Sequence, residues 1–416
     1  MSASTPSADT RRYDIDWLRI FACYLLFLFH VAMVFAPVPF YHIQNGESSG
    51  FFAALVGFIS LWHMPLFFLL AGWSVFESLR RRGPGGFGAE RILKLAIPLV
   101  AICVVFGPVL KYVELSSGFD ANYQGLFVSA ENAARYQALI GAELPLMTPF
   151  SASFFEFWPT YFTELSHFTW SHLWFVAYLF VFSLLYLPIF LKLTRSEARI
   201  ESVTARWVYA PILLLALIQI TLRPYFPGLQ TLWTDWANFA YYSTFLMLGF
   251  LMARFPAYEQ ALHRERRRAL GLALATMLFL LGSLLGLVQS QPLILAGSAV
   301  AGWCFVVALL GFARGWLADK DRGVATMAES AYPVYLLHQP AIVVLAVVIV
   351  PLAMSLWLKF ALLLTGSVLL TLAVYHGVVR RVGPLRWVLG MKRATQPATR
   401  SAAPLRPAPA VAGVER

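Results

Sequence analysis

Apolar residues in this chain come in blocks of about twenty, the length an α-helix needs to cross a bilayer. The blocks fall roughly at 17–36, 52–76, 92–113, 173–193, 207–223, 237–253, 269–288, 293–313, 331–350 and 357–379. Pro211 and a short apolar run blur the fifth. The pattern predicts an all-α fold, a polytopic membrane helix bundle of about ten transmembrane helices. Residues 1–12 are polar and 392–416 are rich in Ala and Pro, so both ends are expected to be disordered around one membrane domain, 13–391. The first apolar block is too long for a signal-peptide core, so an uncleaved first span is expected.

The first block carries polar groups where lipid disfavours them. Arg19 opens it and His30 lies deep inside. A step of eleven residues is three turns plus about 20°, so both share one helix face, about 16 Å apart along the axis. Asp16 falls near the same face. A charge at membrane depth costs on the order of 2.5 kcal/mol or more, less for histidine, so the aligned pair points to function. Snorkelling of Arg19 and a packing hydrogen bond from His30 are the simpler account.

Lys and Arg set the orientation. With both termini cytoplasmic, 28 of the 32 basic residues face inward, and only Lys111, Arg135, Arg223 and Lys359 face out. Composition then adds little that the blocks do not already imply: the 416 residues are 59% hydrophobic with a net charge of +11. That charge lines the cytoplasmic face, where anionic lipids and anionic small molecules are natural partners; nucleic acid is not. Cys23, Cys103 and Cys304 lie scattered in apolar blocks, which suggests neither a disulfide framework nor a metal site. One outer loop is long, from Glu114 to about His172, with room for a short helix near Ala130 to Ala142. Its second half is dense in aromatics. An interfacial belt explains these; a sugar-stacking lid is the alternative.

Three further constellations fall in or beside the spans. His63, in Trp62-His63-Met64-Pro65, lies near mid-membrane, and Pro65 should free a carbonyl close by. Arg80, Arg81 and Arg82 precede a Gly-rich turn, GPGGFG. Arg91 and Lys94 then point the same way from the expected first turn of span three, where a helix N-terminus adds to an anion site. Positive-inside statistics also produce such runs. The stretch ESAYPVYLLHQP opens span nine, with Glu329 at the cytoplasmic edge, Tyr332 and Tyr335 within, and His338 about two and a half turns deeper.

The order of these stretches resembles the acyltransferase-3 family of integral-membrane acyltransferases. DWLR with ten residues between Arg19 and His30, HMPLFFLLAGW from His63, Arg91-x-x-Lys94, HLWFVAYL from His172 and SAYPVYLLHQP from Ser330 carry the resemblance. The combination is most similar to the subgroup near the glucan-modifying succinyltransferases. The resemblance implies a bundle of about ten helices in a bacterial inner membrane. It implies transfer of an acyl group from acyl-CoA, acetyl-CoA or succinyl-CoA, to a glycan or lipid-linked sugar, with no permanently bound cofactor and no metal. Arg19 and His30 match the presumed catalytic pair, and Arg91 and Lys94 the paired basic residues. Lysine departs from the commoner arginine there, which weakens bidentate phosphate binding.

On this reading His30 acts as general base or acyl carrier, Arg19 places the donor under the guidance of Asp16, and His63, His338 or Glu329 assists. Arg80 to Arg82, Arg91 and Lys94 hold the donor's phosphates; His172, Trp174, Tyr332 and Tyr335 line the acceptor side. Homo-oligomer formation stays open. A multi-pass transporter would share the buried histidines but should show internal repeats, which the sequence lacks; a non-catalytic sensor would not need aligned polar residues on three spans.

Overall fold

The computed structural model describes residues 11–38, 41–140, 143–321 and 323–391. The two expected disordered ends lie almost wholly outside these residues. Sixteen α-helices follow one another: α1 (Tyr13–Phe35), α2 (Gly50–Arg91), α3 (Ile97–Val105), α4 (Gly107–Ser116), α5 (Ala130–Ile140), α6 (Phe154–Thr163), α7 (Trp174–Leu185), α8 (Leu187–Arg195), α9 (Ala205–Tyr209), α10 (Pro211–Leu222), α11 (Trp236–Arg254), α12 (Ala257–Leu284), α13 (Gln291–Trp316), α14 (Val324–Ile349), α15 (Leu356–Val374) and α16 (Gly383–Val388). Among the described residues, seven helices are long and apolar enough to cross a membrane, or eight if the bent pair α7–α8 counts as one span. A polytopic helical bundle therefore stands; among the described residues it departs from all-α in a small antiparallel hairpin, β1 (Phe119–Asn122) with β2 (Gly125–Val128), and in a bridge from Val128 to Leu146, both in the long loop.

One of the seven runs from Gly50 to Val105. It is not a straight rod. Ser78 donates to a Glu90 carboxylate oxygen, although twelve residues of straight helix would separate them by about 18 Å. The chain doubles back at Gly83, whose φ of 66° suits a residue without a Cβ. This corrects the expected Gly-rich turn: only Gly83 leaves the helical region, and Pro84 onward is helical again. A second correction follows. Arg91 and Lys94 do not open a helix. The Ile92 amide is already bonded to carbonyls of Gly88 and Ala89, and 92–96 continue as a π-helical turn. No free N-terminal amides are left there for an anion.

Prolines explain the other breaks. Pro108 has no N–H for the Val104 carbonyl, and the helix breaks at Phe106 between α3 and α4. Pro188 does the same to Leu184, and α7 and α8 meet at 57°. The outward faces remain apolar: Leu213, Leu284, Val348 and Leu369 are all more than half exposed, as lipid-facing side chains should be.

Close backbone approach holds the middle of the bundle. A Cβ on Gly72 would lie 1.9 Å from the Leu246 carbonyl oxygen, and one on Gly249 would lie 1.9 Å from that of Leu69. α2 and α11 thus cross through paired glycines, the small-residue packing that membrane helices use where no hydrophobic force drives them together. α1 lies between α2 and α14, and that places His30 beside α14.

Candidate active site

His30, His172 and His338 form one cluster. The ring centroids of His30 and His338 are 5.2 Å apart, and those of His338 and His172 are 5.0 Å apart. The rings come from α1, from the short 3₁₀ turn Ser171–Leu173, and from α14. His338 is fully buried and His172 nearly so. His30 Nδ1, His172 Nδ1 and His338 Nε2 are buried without a hydrogen-bond partner. Such groups are costly to leave bare, and concentrate where chemistry needs them.

The surrounding backbone fixes two of the tautomers. His338 Nδ1 lies 2.5 Å from the Tyr335 carbonyl oxygen. A carbonyl only accepts, so Nδ1 carries the proton and Nε2 presents its lone pair. His172 Nε2 lies 3.2 Å from the Leu336 carbonyl oxygen. That oxygen is free because Pro340, four residues on, has no N–H to offer it. His172 therefore donates from Nε2 and presents a lone pair at Nδ1. Tyr335 completes the brace by donating its hydroxyl to the His172 carbonyl oxygen at 2.7 Å.

Aromatic rings continue the cluster in both directions. Tyr335 lies 5.8 Å from His338, and Tyr332 is stacked 6.2 Å from Tyr335. Tyr332 and the backbone of Lys94 both pack against Gly390, so this end of the file reaches the Arg91–Lys94 turn. At the other end, the Tyr41 ring lies 5.8 Å from His30 and its hydroxyl donates to Gln339. A continuous file of rings thus links the basic turn to the loop after α1.

Of the remaining sequence candidates His63 lies nearest the cluster, sharing the Phe29 ring with His30. Arg19 donates to Asp16 at 3.0 Å, to the Ser74 hydroxyl at 2.8 Å and to the Leu70 carbonyl at 3.4 Å. Asp16 also pairs with Arg11, at 2.8 Å. His63 spends Nε2 on the Ala22 carbonyl oxygen at 2.8 Å, tying α2 to α1. Trp174 packs among Phe68, Tyr178 and Tyr242. Glu329 is half exposed and paired with Arg386 at 3.2 Å.

Arg91 is 7% exposed with its guanidinium over the Phe87 ring, and its Nε lacks a partner. Glu90 gathers the cations around it: Lys94 at 2.7 Å, Arg91 at 3.2 Å and Arg82 at 3.4 Å. Arg80 and Arg81 instead pair with Glu77. No sequence pattern singles out Glu90, Tyr41, His42, Glu114 or Ser171. Their polarity reads as ordinary loop or helix-end polarity until the chain is folded.

The sequence model of the acyltransferase domain family, acyltransferase-3, matches residues 12–376. The chain belongs to this family and is an acyltransferase, which displaces the transporter and sensor readings. No curated protein matches the chain, and no solved structure does.

Proposed function

We propose that the protein is a multi-pass O-acyltransferase of a bacterial inner membrane. It moves an acetyl or succinyl group from acyl-CoA at the cytoplasmic face to a sugar hydroxyl of an extracytoplasmic or lipid-linked glycan. The proposed topology has about ten spans with both termini inside. A likeness to the glucan-modifying succinyltransferases favours succinyl as one of the donors to test.

The observation that carries this reading is the file of rings from Arg91 and Lys94 through Tyr332 and Tyr335 to three imidazoles with bare nitrogens. A CoA donor is long, anionic at one end and reactive at the other. Its phosphates suit Arg91 and Lys94, displacing Glu90 as their partner. Its thioester end would run along the tyrosines to His30. A lone pair in the cluster takes the proton of the acceptor hydroxyl as it attacks the acyl carbon, or His30 carries the acyl group briefly. Arg19, on its own network nearer the start of α1, places the donor. His172 would face the acceptor. The direct experiment is CoA release from acetyl-CoA and succinyl-CoA by purified protein in the presence of a glycan acceptor; no release above buffer from either donor would refute the reading.

Two outcomes are expected alongside. Arg91→Ala should raise the KM for acyl-CoA about tenfold or more, since a charge-assisted phosphate contact is lost. Arg81→Ala, whose partner is Glu77, should change KM little; equal small effects would remove the donor site. For topology, a cysteine at Asn122 should react with a membrane-impermeant maleimide added outside intact cells, and one at Gly323 only after lysis. The three natural cysteines are buried and add no background. Reaction of the Gly323 position from outside would invert the arrangement.

A further inference from the structure

Beyond Tyr41, at the end of the file away from Arg91, lies a second constellation. His42 is 7% exposed. Its Nδ1 is 2.8 Å from Glu114 Oε2, on a bent approach, and its Nε2 is 2.8 Å from Ser171 Oγ. Glu114 is itself fixed: Lys111 Nζ and the Ala121 amide both donate to its Oε1, at 2.6 and 2.8 Å. Burial works against the charge on Glu114, yet Lys111 and His42 hold its carboxyl down to about 2. An ionised carboxylate only accepts, so His42 carries its proton on Nδ1 and offers the Nε2 lone pair to the Ser171 hydroxyl.

Ser171 stands out on a second, independent count. Its φ is +46°, one of only three positive values among the described non-glycine residues. A strained hydroxyl residue backed by an imidazole and a carboxylate is the arrangement that makes serine nucleophilic. Both partners also adjoin the imidazole cluster. Ser171 precedes His172, and the rings of Tyr41 and His42 are 5.6 Å apart. Ser171 is half-buried, so it is not sealed from a reactant.

We propose that Ser171, His42 and Glu114 form a second acyl-transfer centre, in which Ser171 Oγ holds the acyl group as an ester between donor and acceptor. In the first half, Ser171 Oγ attacks the acyl carbonyl and its proton passes to His42 Nε2. The bond to the donor sulfur, or to His30 if that residue carries the acyl group first, then breaks. The departing thiolate or imidazole takes the proton from His42. In the second half the acceptor hydroxyl attacks the serine ester and gives its proton to His42. The Ser171 ester bond breaks, and Oγ takes the proton back. Glu114 stays ionised throughout and stabilises the imidazolium. No oxidant or further reactant is required. The relay rests on the acyltransferase reading but not on CoA as the donor.

The test uses p-nitrophenyl acetate, which contains no CoA. Full-length protein in detergent is treated with it, quenched in acid, digested and mapped by mass spectrometry. The expected result is an acetyl ester on the Ser171 peptide, absent from Ser171→Ala. Its rate of formation should fall about a hundredfold or more in His42→Gln. Ser171→Cys should still be acylated, as a thioester, and wild-type size-exclusion profiles and unfolding temperatures in detergent show that the variants fold. A wild-type protein without an ester at Ser171, whether or not Ser171→Cys reacts, overturns the proposal; so does a His42→Gln variant that labels at the wild-type rate. Ester formation at Ser171 in a protein that never releases CoA would leave the relay standing and refute the CoA reading. CoA release without the ester would do the reverse.

Discussion

His30→Ala is expected to abolish acyl transfer while the protein still inserts and folds. Loss of a positioned base lowers rate by about 10²–10⁴-fold, and loss of an acyl carrier removes the route altogether. Folding should survive, because His30 Nδ1 has no hydrogen-bond partner to lose and removal of a polar ring from membrane depth relieves an insertion cost. His30→Gln is the decisive companion. Glutamine can bond a neighbouring helix, but it cannot accept a proton at neutral pH. A packing histidine would tolerate it. Acyl transfer at near the wild-type rate in His30→Gln, measured in membranes with defined acyl-CoA, would make His30 structural and move the chemistry to His338 and His172.

The second large effect should appear far from the chemistry. Gly249→Val is expected to prevent a stable bundle. Its side chain would have to occupy space already filled by the Leu69 backbone, and a carbonyl cannot turn aside as a flexible side chain can. Overpacking of a tight site costs about 1–3 kcal/mol and more where the obstacle is backbone. The loss should show as aggregation in size-exclusion chromatography and a lower unfolding temperature in detergent. Gly271→Ala is the control, because a Cβ there meets nothing within 4 Å; it should be neutral or slightly stabilising. A Gly249→Val protein that elutes and melts like the wild type would mean that the crossing of α2 and α11 is looser than described.

The architecture was legible because its signals are long. Blocks of apolar residues need only be counted, and most of the long helices lie where those blocks predict. The breaks were not legible in the same way. Pro108 and Pro188 are visible as prolines, but whether a proline bends, breaks or merely starts a helix depends on its neighbours. The Gly-rich run GPGGFG reads as a loop from composition, yet one glycine does the turning and the rest rejoin a helix. The basic turn shows a related limit. Arg91 and Lys94 are readable as an anion site, but Glu90 beside them already gathers their charge, and only the folded chain shows which contacts form.

The candidate site divides by how far apart its parts lie in sequence. His30, His338, Tyr332 and Tyr335 each sit in a stretch whose polarity is anomalous for a membrane span, so each can be nominated alone, whereas His172, at the end of the outer loop, is nominated only by the family resemblance. Their convergence cannot be. His42, Glu114 and Ser171 are unremarkable in a polar loop, and only the packing of the loop back onto the bundle makes them neighbours. The role of Pro340 is of the same kind: a missing amide on α14 fixes the tautomer of a histidine on another element.

That division governs when the enzyme becomes active during its own synthesis. Tyr41 and its hydrogen-bond partner Gln339 are 298 positions apart, so α1 leaves the ribosome long before α14. Until it docks beside α1, the nascent protein in the membrane holds His30 and His172 without their central partner. A chain arrested or cleaved before residue 330 would therefore lack the central imidazole of the cluster, even though Ser171, His42 and Glu114 had already been made. The imidazole cluster is thus completed late, by one helix, long after its first member has entered the membrane.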